Sequence, residues 1–344
     1  MLNDRIEAKW IDTFEAVFGA CAVARTETAI ILSETQSRAL NVHLAELALA
    51  RRGVTFFHLQ VPSPPTDTTA IFRSTGTSRA LTSQTIAVAT LSKADFIVDL
   101  TVEGLMHAPE LKAILGGGVR VLNISNEHPE ALERMRPEPD LKDRTLAAAR
   151  LCRGTQEMRV TREAGTDLHV AMSGANTVGV WGWTDKPGTL AHWPGGIVVS
   201  FPQAGSVSGR LVFQPGDMNL TFKRYFESTV ACTIVQDHVT DIEGTSADAR
   251  LMRDYLAAFG QHEAYATSHV GWGLNRAARY EALTMYDRRD LNGTELRAVA
   301  GNFLYSTGAN EFAGRFTDGH FDLPMMGCTI TLDGQIVVDA GQLV

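Results

Sequence analysis

The chain lacks an excess of basic residues: its 31 Lys and Arg are outnumbered by 39 Asp and Glu, for a formal charge of -8. Binding to a nucleic-acid backbone or an anionic membrane surface draws on a basic field, so neither partner is expected. Cysteine is scarce as well. Cys21, Cys152, Cys232 and Cys328 stand apart with no C-x-x-C spacing, which argues against a zinc ribbon, an iron–sulfur site and a disulfide framework, and suits a reducing cytoplasm. No apolar run approaches the ~20 residues that span a bilayer. Asp4, Arg5, Glu7 and Lys9 put charges where a secretory leader would be apolar, so the expected location is cytoplasmic. Two catalytic signatures are also missing. The glycine cluster Gly116-Gly117-Gly118 precedes a strand pattern instead of linking a strand to a helix, which argues against a phosphate cradle. No G-x-S-x-G elbow marks a nucleophilic serine.

What is present is enough for a large core. The 344 residues are 44% hydrophobic and 20% charged, a globular composition whose length suggests two domains. Residues 3–18 carry Ile6, Trp10, Phe14, Val17 and Phe18 at helical spacing, and a second helix is expected from about Ser37 to Arg52, stopping at Gly53. Strand patterns at 29–32, 54–59, 96–100 and 119–124 alternate with these and further helical segments. That alternation predicts a parallel sheet with helices on its faces. Pro62–Pro65 reads as a loop and Arg136–Pro139 as a linker, followed by a helix over 141–152.

The pattern then changes. Short β-rich runs at 168–172, 196–201, 209–213, 229–236, 328–332 and 335–339 lie between Gly, Pro and Asp turns, with a helix over 247–259 among them. The expected architecture is an α/β domain over 1–140 and a β-rich α+β domain over 141–344 that carries the catalytic metal site.

Ten histidines are the natural place to look for chemistry, as the commonest metal ligands and general bases. In Gly319-His320-Phe321-Asp322-Leu323-Pro324, an extended chain sends side chains two apart to the same face. His320 and Asp322 could offer one ion a nitrogen and an oxygen, or form a simple hydrogen-bonded pair. His269, in the glycine-rich Ser268-His269-Val270-Gly271-Trp272-Gly273, is the candidate third ligand, with a buried core histidine as the plain alternative. Two histidines and one carboxylate on one face leave positions open for substrate and dioxygen, as in non-haem Fe(II) oxygenases. His107 follows an apolar strand, where ligand sites of parallel sheets lie, or is an exposed loop residue. His192, in Ala191-His192-Trp193-Pro194-Gly195-Gly196, reads equally as structural or functional. Ser306 and Thr307, in a Ser-Thr-Gly stretch that often forms a turn, offer hydroxyls to a polar ring substituent.

Taken in order, Ser268–Leu274, His192-Trp193-Pro194, Asn302–Gly308 and His320–Pro324 resemble the 2,5-dihydroxypyridine 5,6-dioxygenases of bacterial nicotinate and nicotine catabolism. The resemblance extends over nearly the whole chain, including Phe96 to His107. It implies one Fe(II) per chain on His269, His320 and Asp322, with His107 as acid/base and His192 in the pocket. It also implies a homo-oligomer whose substrates are O2 and a small aromatic, 2,5-dihydroxypyridine, opened to N-formylmaleamate. Ser306 and Thr307 would orient the ring's polar atoms, and Trp193 or Trp272 would line its face. The 201–209 and 311–319 loops depart from the family pattern, which leaves a related hydroxypyridine as an alternative substrate. The rival reading is a leucyl-type metallo-aminopeptidase of the same fold family. Its P-x-G-E motif corresponds to Pro202-Gln203-Ala204-Gly205-Ser206, without the glutamate, and the glutamate of its E-x-G-x-G segment is replaced by His269. One metal's worth of ligands remains, short of the two ions such hydrolysis uses.

Overall fold

The computed structural model describes residues 5–65, 70, 71 and 75–344. Its first half alternates helices and strands as the periodicity predicts. The strands Thr28–Glu34, Thr55–Val61, Phe96–Asp99 and Arg120–Ile124 are all parallel. Apolar side chains on both faces explain why: Ile31, Phe96 and Val98 pack under the helices Ala8–Ala20 and Ala39–Arg52, while Ile30, Ile97 and Val121 pack against Leu81, Leu91 and Ile114 on the other side. The first helix begins at Ala8, after extended Glu7. Asn3 and Asp4, at its expected start, lie outside the described residues. The second helix ends at Gly53, whose φ of 68° is the left-handed conformation that glycine adopts without a Cβ penalty.

The sheet has a fifth strand, Leu190–Trp193, which pairs in parallel with Arg120–Ile124. Residues from beyond position 140 therefore complete the parallel sheet, and His192 enters it directly beside Asn123. This short stretch is a strand because Ala191 and Trp193 bury against the same core as Phe14 and Leu122.

The rest is antiparallel. Eight strands, including Val207–Phe213, Thr166–Ala171 and Thr329–Leu332, form one sheet. A second has the order Arg315–Met325, Phe303–Asn310, Thr267–Gly273, Ile197–Phe201, Asn176–Val180. The largest core lies where these sheets and the helix Ala247–Ala258 meet. Strand alternation divides the second sheet's residues cleanly. Val270, Trp272, Phe303, Tyr305, Phe321 and Leu323 all enter that core, so His269, Ser306, His320 and Asp322 are left on the opposite face.

Two glycines let these strands approach. A Cβ on Gly271 would stand 1.9 Å from the Val198 carbonyl oxygen. One on Gly308, where φ is 123°, would stand 2.2 Å from the carbonyl oxygen of Gly319. No helix among the described residues is long and apolar enough to cross a membrane.

Candidate functional site

The antiparallel register assembles the centre. Ser306 is paired with His269 on one side and Asp322 on the other, and Gly308 with His320. Ligand atoms of His269, His320 and Asp322 consequently lie within 4.8 Å of one another, all on buried residues. His320 Nε2 is 3.3 Å from Asp322 Oδ2, and His269 Nε2 is 3.7 Å from Asp322 Oδ1. Ser306 Oγ donates to Asp322 Oδ1 and lies 3.0 Å from His269 Nε2. The two imidazoles stack with centroids 5.5 Å apart.

The arrangement is chemically suited to a divalent cation. Two imidazoles and a carboxylate on one face are a donor set that suits a divalent transition ion, which needs an ionised carboxylate and unprotonated ring nitrogens. Burial pushes the Asp322 carboxyl up, but Arg297, then His320 and His269, outweigh it and hold it well below the usual carboxylate range. Burial depresses His269 to about 3, so its ring is neutral at ordinary pH. The second oxygen of Asp322 is fixed by Arg297 Nε at 2.5 Å, the kind of outer contact that orients a metal-binding carboxylate.

Arg297 was not legible as a site residue: its helix, Thr294–Ala298, carries no motif. The structure shows how that short helix is held. Buried Glu127 accepts hydrogen bonds from the backbone N–H groups of Asn292, Gly293 and Thr294 at 3.1, 2.9 and 2.8 Å, a carboxylate at the positive helix start. Glu295 then pairs with Arg134 at 2.5 Å.

The parallel sheet presents two more histidines at its carboxyl ends. His107 sits in the loop after Phe96–Asp99, its ring centroid 5.8 Å from that of His320. Asp99 fixes this loop by accepting from Thr101 N, Thr101 Oγ1, Leu105 N and Asn123 Nδ2 at 3.0, 2.7, 2.8 and 3.0 Å. The His107 N–H donates to the Gly76 carbonyl at 2.7 Å. His192 Nδ1 is 3.0 Å from the Pro194 carbonyl. A carbonyl only accepts, so Nδ1 carries the proton and Nε2 keeps its lone pair. Burial is the main cause that lowers both His107 and His192 to about 4.

His107 and His192 line one cavity of about 530 Å³, walled by Leu111, Val178, Trp181, Trp183, Phe201 and Phe312 among others. Phe201 links it to the ligand set, its ring 5.3 Å from His269. The expected aromatic walls are different residues. Trp272 belongs to the large core, and Trp193 is buried beneath the parallel sheet with Nε1 donating to the Met135 carbonyl. Thr307 is paired beside Phe321 on the core-facing side, its hydroxyl buried without a hydrogen-bond partner. Ser306 is occupied between His269 and Asp322.

Comparison with known proteins identifies the family. The 2,5-dihydroxypyridine 5,6-dioxygenase family model matches residues 9–344. A curated 2,5-dihydroxypyridine 5,6-dioxygenase from Pseudomonas putida is 36% identical over 345 residues, covering 98% of this chain and 96% of that protein. The solved structure of 2,5-dihydroxypyridine dioxygenase from Pseudomonas putida KT2440 superposes with a TM-score of 0.92 at 33% identity, over 100% of this chain and 98% of that one. Wild-type AmpT from Thermus thermophilus, at 13% identity and a TM-score of 0.68 over 98% of this chain and 99% of its own, shares the fold alone. With a family match that spans nearly its whole length, the chain belongs to the 2,5-dihydroxypyridine 5,6-dioxygenases, a family of ring-cleaving dioxygenases.

Proposed function

We propose that the chain opens the ring of 2,5-dihydroxypyridine with dioxygen to give N-formylmaleamate, using one Fe(II) held by His269, His320 and Asp322. The observation that carries this reading is the convergence of those three side chains from neighbouring strands onto one buried face. When bound, the ferrous ion supplies the redox chemistry between ring and dioxygen and favours the ring's ionised hydroxyl.

The chain's own residues do the rest. His107, neutral at working pH, accepts the proton of a ring hydroxyl at an imidazole nitrogen and later returns one to an oxygen of the opened product. His192 offers Nε2 as a fixed acceptor for a ring O–H or N–H, because Nδ1 is committed to Pro194. Ser306 braces His269 against Asp322. Phe201, Trp181 and Trp183 give the cavity apolar walls that exclude water and match an aromatic ring. A reducing cytoplasm fits the four buried free cysteines, and assembly into a homo-oligomer remains part of the proposal.

The aminopeptidase reading needs a second ion beside the first. Among the described residues, no fourth His, Cys, Asp or Glu joins the His269–His320–Asp322 group. Oxygen uptake separates the readings. Fe(II)-loaded protein given 2,5-dihydroxypyridine in an oxygen electrode should consume one O2 per ring lost. No uptake with any dihydroxypyridine would reject the proposal, and uptake only with a different hydroxypyridine would reject the substrate while keeping the chemistry.

A further inference from the structure

A second set of two imidazoles and a carboxylate lies outside this centre. His238 opens the strand His238–Glu243, and His262 and Glu263 open the short helix His262–Tyr265. Ligand atoms of the three lie within 4.8 Å of one another. His238 Nε2 is 3.8 Å from Glu263 Oε2, and His262 Nδ1 is 3.8 Å from Glu263 Oε1. The two rings stack with centroids 4.1 Å apart. Ligand bonds of about 2.0–2.2 Å around a tetrahedral ion put neighbouring donors about 3.4 Å apart, close to these spacings.

The hydrogen bonding leaves two atoms of the set without a partner. His238 Nδ1 is 3.0 Å from the Gln236 carbonyl and must donate to it, the contact that commonly fixes the tautomer of a metal-binding histidine. In the neutral ring, Nε2 then keeps its lone pair, directed at a carboxylate oxygen that can only accept. Both His238 Nε2 and Glu263 Oε2 are withdrawn from solvent with no hydrogen-bond partner. Arg315 Nε, 4.0 Å from Glu263 Oε2, does not fill the gap. Its guanidinium is already directed to Asp237 at 2.5 Å and the Thr267 carbonyl at 2.7 Å. Two facing acceptors are costly when buried, and a cation between them satisfies both.

We propose that His238, His262 and Glu263 bind a divalent transition ion of the zinc class, separate from the catalytic centre. Two imidazoles and one carboxylate select such ions over Mg²⁺ or Ca²⁺. The ion braces the catalytic sheet from outside. His238 bridges Ala266, and the Asp237 carbonyl accepts from Thr267 N at 2.8 Å, so the site ties this turn to the first residues of the strand that carries His269.

Metal-free full-length chain, dialysed against about micromolar free Zn²⁺ and assayed by elemental mass spectrometry, should hold two ions per chain. H262A and E263Q should hold one, with affinity for the second ion lowered at least about 100-fold. H169A, which alters a histidine that pairs with Glu157 on the surface, should still hold two. His262 is largely exposed, so H262A should fold and, loaded with Fe(II), keep wild-type oxygen uptake. Zn²⁺ should raise the melting temperature of wild type more than that of H262A. A single ion on wild type that H262A and E263Q also hold, or two ions retained on both variants, would overturn the site.

Discussion

Asp99→Asn isolates the loop that presents His107. The Asp99 carboxylate is fully buried and accepts four hydrogen bonds, two at each oxygen. An asparagine keeps the shape but turns one oxygen into a donor. Thr101 Oγ1 can rotate, and Asn123 can flip its amide to accept, at the loss of its 3.3 Å bond to the Asp99 carbonyl, so two of the four contacts can adapt. The backbone N–H groups of Thr101 and Leu105 cannot. Whichever way the new amide turns, one of them is left buried and unpaired, at about 1–3 kcal/mol. The surviving contacts also lose their charge assistance, and the total should be about 3 kcal/mol. The same loop carries His107, and Gly104 within it approaches Asn123 so closely that a Cβ would lie 2.8 Å from Nδ2. Little slack remains to absorb a shift. A displacement of about 1 Å at His107 should lower kcat about 100-fold, while His269, His320 and Asp322, on other strands, stay in place. Urea unfolding, iron content and oxygen uptake on one sample test the chain of reasoning. Lower stability with unchanged kcat would refute the positioning of His107 by Asp99, and iron lost in proportion to activity would refute the separation of loop from ligands.

Asp322→Ala should abolish iron retention, measured by elemental analysis after desalting; iron at wild-type stoichiometry would reject the ligand set. His107→Ala should keep its iron and lose most turnover, and an unchanged kcat would remove its acid/base role. Glu127→Gln turns one acceptor of the helix-start N–H groups into a donor, so it should cost about 1–2 kcal/mol and lower kcat through Arg297; wild-type stability would contradict the capping role. Burial holds His107 and His192 at about 4 and His269 at about 3, while an unfolded imidazole titrates near 6.5. Between those values the unfolded metal-free chain binds protons that the folded one refuses, so stability is full above about pH 6.5 and falls as pH drops toward about 4. A melting temperature that stays flat across that window would refute the burial of these rings.

The parallel sheet was legible because its strands and helices each have a period of their own. Trp10, Phe14, Val17 and Phe18 mark a helix face, and Phe96-Ile97-Val98 is apolar without a break because both faces are covered. The strand at 190–193 was not legible. It is four residues long, runs into Pro194 and two glycines, and is a strand only because a distant edge, Val121–Ile124, waits for it. Phe303–Asn310 misled differently. Its Ser-Thr-Gly looks like turn chemistry, yet it is the second strand of its sheet, and Gly308 is there for close backbone approach.

The ligand set shows where local reading stops. His320 and Asp322 could be placed together from their spacing alone, because alternation along one strand is a local rule. His269 could not be joined to them that way, since register between strands depends on a bulge at Thr267–His269 that shifts which residue faces Ser306. Arg297 has no local signal at all, for its place is set by Glu127 and by the Arg134–Glu295 pair.

The side chains proposed to hold the metal and those proposed to move protons thereby come from different sheets. His269, His320 and Asp322 stand on paired strands whose opposite face is locked in the largest core, so a residue such as Tyr305 or Phe321 holds the geometry of its neighbours Ser306, His320 and Asp322. The proton-handling candidates, His107 and His192, come instead from the carboxyl ends of the parallel strands, one of them on a loop. Gly271→Ala tests the rigid half of that division. The new methyl would press on the Val198 carbonyl, an atom of the adjoining strand with nowhere to move, and forcing the strands apart should cost about 3 kcal/mol. Because His269 and Gly271 share a face of one strand, iron affinity should fall along with stability, measured by chelator competition at a temperature where the variant is folded. Retained affinity in a destabilised variant would mean that the ligands tolerate a looser sheet, and the rigidity argued from the core would be wrong.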